Sequence, residues 1–256
     1  MLAVIRTHEK HSKKNNEIGI IMKIDAILWD YDGTLVNSVP KNIDITKQIL
    51  SVVAPRLSGE NLPHSLKSEK EYHIANHQSK NWQDLYVNYY GLSKKEMLEA
   101  GTMWTEYQLK NSTPVELFTE IKQTINQIHL PQGICSQNSS ENINRVLENN
   151  NLSHKFNSII GYDDIPSGAQ KPSAFGGIKC LKQIFKTTLN KNIIFIGDHE
   201  GDIEFSRNIE KELCKNSKVI SIVAKYSGAK TKLWNYKPDF EIENPTDLLE
   251  IINNYR

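Results

Sequence analysis

Residues 27–38 read ILWDYDGTLVNS, an apolar run that gives way within a few steps to two aspartates, a glycine and a threonine. From 23 to 30 the run lacks the alternation of a half-exposed strand, so it reads as a parallel strand buried on both faces. Asp30 and Asp32 then stand at its carboxyl end, the edge at which open α/β sheets bind ligands. Two like charges this close repel unless something positive joins them. Asp-Gly is also a common turn pair, so the weight of the reading rests on what the rest of the chain supplies.

Working outward, similar runs recur at 132–136 (QGICS), 192–198 (NIIFIGD) and 218–224 (KVISIVA). Between the second and third lie SSENINRVLENNN and FGGIKCLKQIFKT, whose apolar residues fall at helical spacing. Strand alternating with helix predicts an α/β fold with a parallel sheet and right-handed crossovers. Residues 39–113 break the alternation. They are helical in pattern and rich in aromatics, and they predict an inserted helical subdomain, leaving 22–38 and 114–256 for the α/β core. Trp82, Tyr86, Tyr89, Tyr90, Trp104 and Tyr107 are expected to build the inserted core. Ser93 with Glu96 is a capping-box signature, and Thr113 followed by Pro114 predicts a helix running on from 113.

The bulk numbers exclude several classes. A formal net charge of +1 over 256 residues implies neither a nucleic acid nor an anionic membrane as partner. No apolar stretch reaches the ~20 residues of a membrane span. Cys135, Cys180 and Cys214 are widely spaced and odd in number, as expected of reduced thiols in a cytoplasmic protein. Residues 1–21 fit a secretory signal poorly and read as a solvated, disordered extension before Met22.

Four clusters carry chemistry. The first is Asp30, Asp32, Gly33 and Thr34, and the second is Ser136 followed by Gln137 and Asn138. The third is Lys171-Pro172, and the fourth is GDHEGD, with Asp198 and Asp202. Carboxylates at neighbouring strand tips call for a divalent cation, and an oxygen-only donor set points to Mg2+. A lysine and a hydroxyl suit the far side of an anionic substrate, joined by N–H groups of a helix starting just after Ser136, which Ser136 itself is expected to cap. A carboxylate beside a phosphoryl group can attack it, and a second must protonate the leaving oxygen and later activate water. Asp32 can fill the second role if the neighbouring carboxylates raise its pKa; Gly33 lets the chain turn and Thr34 can hold the loop.

In this order the clusters resemble the haloacid dehalogenase superfamily of phosphohydrolases, over about 22–250. The resemblance implies a Rossmann-like core with helices on both faces and an inserted α-helical cap over 39–113, similar to phosphoglycolate-phosphatase-like members. It implies Asp30 as nucleophile and Asp32 as acid/base, with Ser136, Gln137, Lys171 and Thr34 around the phosphoryl group. It further implies Mg2+ held by the Asp30 carboxylate, the Asp32 main-chain carbonyl and Asp198, with Asp202 in support. The expected activity is Mg2+-dependent hydrolysis of a small phosphomonoester through an aspartyl-phosphate. The expected partner is a small phosphorylated metabolite, and the expected state is a monomer or homodimer. A phosphomutase of the same superfamily is the near alternative, although Thr34 favours hydrolysis; a silent protein-binding module is a more distant one.

Two other residue types, histidine and cysteine, invite a function and are read more plainly. His73 and His77 lie four apart without an evident further ligand, so they are expected to pack or face solvent. His199 is expected to pack or hydrogen-bond within its loop. Cys135 is expected to be a strand residue, since no cation adjacent in sequence lowers its pKa.

Overall fold

Ala26–Trp29 forms β1, and all four of its residues are buried. The structure, a computed structural model, describes residues 22–255; the extension read over 1–21 lies outside the described residues. The chain leaves β1 through Val36–Asn37 (β2) into helices Val39–Val53 (α1), Glu69–Gln78 (α2) and Lys94–Lys110 (α3). It returns by Glu116–Leu117 (β3), Ile121–Gln127 (α4) and Gln132–Cys135 (β4). Ser140–Asn149 (α5), Ser158–Ile160 (β5) and Phe175–Ile184 (α6) follow. Asn192–Gly197 (β6), Glu200–Glu212 (α7), Lys218–Ala224 (β7), Phe240–Ile242 (β8) and Asp247–Asn254 (α8) complete it.

The main sheet has the order β5-β4-β1-β6-β7-β8 and every pairing is parallel. Leu28 lies opposite Gly133 on one side and Phe195 on the other, so β1 is a central strand with neighbours on both edges. Side chains alternate across the sheet. Leu28, Phe195 and Val219 pack with Leu181 of α6 and Phe205 and Ile209 of α7. Ile27, Trp29 and Ile194 take the opposite face, where Trp29 donates to Gln132 Oε1 and Gln132 donates in turn to the Ile125 carbonyl of α4. The fold is therefore α/β and Rossmann-like, with helices on both faces. Strand order reverses at β1, whose neighbours come from later crossovers on either side, and such a switch point opens a crevice at the carboxyl ends of the strands.

The chain divides into two compact units, with Val36–Glu116 as the helical one. Its own core gathers Ile49, Leu50, Tyr72, Tyr86, Tyr90 and Ala100. The capping box at Ser93 and Glu96 starts α3, and Glu96 also pairs with Arg56. Trp82 departs from the expected aromatic core: it is 42% exposed, its ring lying edge-on to Tyr86. His73 and His77 stack with centroids 5.9 Å apart in α2, as packing residues do.

One expected element is displaced. The helix read from Thr113 begins at Ile121, because the Thr113 hydroxyl donates to Asp44 instead of capping a turn. The chain stays extended through β3, and Glu120, at φ 68°, makes the bend into α4.

Candidate active site

Three adjacent strands end in the residues that the sequence singled out. Asp30 follows β1, Ser136 follows β4, and Asp198 follows β6. The ladders continue into these tips: Asp30 N–H donates to Ile196 carbonyl at 2.8 Å, and Ser136 N–H to Ile160 carbonyl at 2.9 Å. Backbone pairing thus fixes where each side chain starts.

Lys171 comes from the loop before α6, and Asp202 from the first turn of α7. Lys171 Nζ donates to Asp30 Oδ1 at 2.6 Å and to Asp202 Oδ1 at 2.8 Å. Its stem is buried, with the ammonium 5.1 Å from the Phe195 ring centre and 5.3 Å from that of Phe205. Burial opposes the lysine charge, but Asp202 and Asp30 outweigh it and hold the ammonium charged beyond the ordinary lysine range. Asp202 Oδ2 also accepts the His199 N–H at 3.1 Å. His199 itself is the cap of α7, its ring nitrogen accepting from Gly201 N–H at 3.1 Å.

Asp30, Asp198 and Asp202 are all buried, and each offers an oxygen within 4.8 Å of the others. Burial pushes the Asp30 carboxyl up to about 7, with Lys171 opposing the rise and Asp202 and Asp32 adding to it. Asp198 is driven well above the usual carboxylate range by burial first, then by Asp30 and Asp202. Three buried carboxylates against one ammonium form a donor set that a hard divalent cation fits: all oxygen, anionic and convergent. The Asp32 carboxylate does not join this group. It accepts from Asn138 Nδ2 at 3.0 Å, while its charge still bears on Asp30 and Asp198.

The loop after β1 is shaped by close approach. Gly33 has φ +77°, and a Cβ there would stand 2.2 Å from Asp198 Oδ2, so any larger residue would collide with the acidic cluster. Thr34 Oγ1 donates to Asp30 Oδ2 at 3.3 Å. Tyr226, just after β7, donates its hydroxyl to the Thr34 carbonyl at 2.8 Å, a tie with no local sequence signal.

Ser136 is buried next to this cluster, and its Oγ accepts the Asn138 N–H at 3.0 Å. It does not cap α5: that place belongs to Ser139, whose side chain accepts from Asn142 N–H, because α5 starts three residues later than a Ser136 cap requires. Gln137 is exposed beside Ser136. Cys135 is a buried strand residue, its thiol raised well above the ordinary range by its hydrogen bond with Cys180 and by burial.

The profile of haloacid dehalogenase-like hydrolases matches residues 27–214. The chain belongs to this family. A pyrophosphatase PpaX of Listeria monocytogenes is 25% identical over 239 residues, covering 91% of this chain and 98% of its own. A phosphoglycolate phosphatase of Vibrio cholerae is 24% identical over 234 residues, covering 90% and 97%. A haloacid dehalogenase-like hydrolase of Streptococcus pneumoniae shares the fold, with TM-score 0.67 and 21% identity over 89% of this chain and 98% of its own. The protein is thus an enzyme of a hydrolase family whose matched relatives include phosphatases, and among its described residues no helix is long and apolar enough to cross a membrane.

Proposed function

We propose that this enzyme hydrolyses small phosphomonoesters through a phosphorylated Asp30. The observation that carries the reading is the convergence of Lys171 and three buried carboxylates on the tip of β1, with Ser136 on the adjacent strand. An anionic phosphoryl group needs positive charge and donors around it, and Lys171 and Ser136 supply them. Gln137 and Thr34 complete the proposed surroundings of that group.

In the first step the Asp30 carboxylate attacks phosphorus, and the ester oxygen leaves with a proton from Asp32. In the second, Asp32 takes a proton from water as the water attacks the aspartyl-phosphate, releasing phosphate and restoring Asp30. Asp30, Asp198 and the Asp32 main-chain carbonyl are the proposed holders of Mg2+, supported by Asp202. When bound, the ion offsets the negative charge gathered by the carboxylates and the phosphoryl group. Lys171 orients the Asp30 oxygen for attack, and Asn138 donates to the Asp32 carboxylate.

The relatives' names make pyrophosphate and phosphoglycolate the first substrates to test, together with other small phosphorylated metabolites. The decisive experiment is hydrolysis of p-nitrophenyl phosphate with and without Mg2+. Asp30→Asn is expected to abolish turnover while retaining the fold, and full activity in that variant would overturn the mechanism.

A further inference from the structure

We propose that Asn138 is a positioning residue for Asp32, setting where the acid/base carboxylate stands; the inference rests on the role given to Asp32 above. The orientation of the Asn138 amide is not free. Its Oδ1 accepts from the Ser139 N–H at 2.8 Å and from Asn142 Nδ2 at 3.1 Å. With the oxygen engaged twice, the NH2 end has one direction left, and there it meets Asp32 Oδ2 at 3.0 Å. The backbone of Asn138 is held as well, by Ser136 Oγ.

Behind it the arrangement continues along α5. Arg145 donates to Asn142 Oδ1 at 2.8 Å, and Asn142 donates onward to Asn138. Each link passes a donor toward Asp32, so a guanidinium at the outer end polarises two buried amides in the same sense. Asn138 and Asn142 are both buried, which makes their amide groups costly to leave unpaired and their geometry well defined. The spacing is helical: Asn142 and Arg145 are three apart on the first turns of α5, and Asn138 lies four before Asn142. The Asn138 amide, itself held at its oxygen and its backbone, thereby fixes the position of one oxygen of the Asp32 carboxylate.

A residue that only stiffens the loop would affect every substrate alike. A residue that positions the proton donor matters only where the leaving oxygen needs a proton. The experiment therefore compares kcat/KM on phenyl phosphate, a poor leaving group, with kcat/KM on 2,4-dinitrophenyl phosphate, which departs unprotonated. Asn138→Ala is expected to lose about ten- to hundredfold on phenyl phosphate and no more than about threefold on the dinitrophenyl ester. Asn138→Asp is isosteric and keeps the accepting oxygen while removing the donor, so it guards against a folding defect and is expected to show at least the same selective loss. Asn142→Asp, one link further back, is expected to lose less but with the same selectivity. Equal losses on both esters, or none on either, would overturn the role of Asn138. The reading of Asp32 is judged separately: if Asp32→Asn shows no leaving-group selectivity in the otherwise active enzyme, that reading fails, whatever Asn138 does.

Discussion

Lys171 Nζ stands between Asp30 and Asp202, donating to both at 2.6 and 2.8 Å. One ammonium thereby orients the proposed nucleophile and ties α7 to the loop before α6. Breaking a buried ion pair leaves an uncompensated charge, at a cost of about 3–5 kcal/mol before the carboxyls take up protons. Lys171→Met is expected to lose more than about a hundredfold in kcat/KM and to unfold at lower urea in metal-free buffer. Steady-state kinetics and urea titration check both.

The acidic cluster makes the metal-free protein sensitive to pH. Asp30 is raised to about 7, by burial above all, and Asp198 is raised as well. A carboxyl raised in the folded state stabilises the fold below its unfolded pKa of about 4 and loses that contribution as pH rises through the folded value. Melting temperature in EDTA is therefore expected to fall between about pH 4 and pH 7. Mg2+ is expected to restore it above pH 7, since a ligand bound only by the folded state stabilises that state. Asp198→Asn is expected to flatten the metal-free profile and to weaken the response to Mg2+. Differential scanning fluorimetry across pH reads each outcome.

At Gly33 the backbone and the acidic cluster leave no room for a side chain. Its φ of +77° and the 2.2 Å approach of a built Cβ to Asp198 mean that Gly33→Ala must move the loop or the carboxylate. The variant is expected to be destabilised by about 1–3 kcal/mol and to lose most of its activity. Chemical denaturation and the p-nitrophenyl phosphate assay provide the check.

Tyr226→Phe isolates one hydrogen bond. The ring packs edge-on against Phe118 and is retained, while the Thr34 carbonyl loses its donor. The expected cost is about 1 kcal/mol, with a several-fold drop in kcat as the loop carrying Thr34 loosens. Equal stability and equal kcat in the variant would show that this tie does not shape the site.

How much of this was legible in advance depends on where each signal is written. The buried strands were legible because a parallel strand covered on both faces must be apolar throughout, as AILW and IIFI are. β5 and β8 are three residues each, too short for any periodicity to declare them. The capping box at Ser93 was legible because its two partners lie three residues apart. The Thr113 start misled because its hydroxyl is taken by Asp44, 69 residues away in sequence. Asn138 was visible beside Ser136, but nothing local gave it a purpose.

The parallel α/β core and the chemical types at its strand tips are written in single segments, since burial on both faces and side-chain functional groups are local properties. Which of those groups meet is settled by the packing of the folded chain. Lys171 reaches Asp30 across 141 positions, and Asn138 reaches Asp32 across 106. Such pairs follow from strand order and from the close approach of loops at the carboxyl edge of the sheet. Neither is encoded in any short stretch, because a charge finds its partner by distance in space, and the fold alone sets that distance.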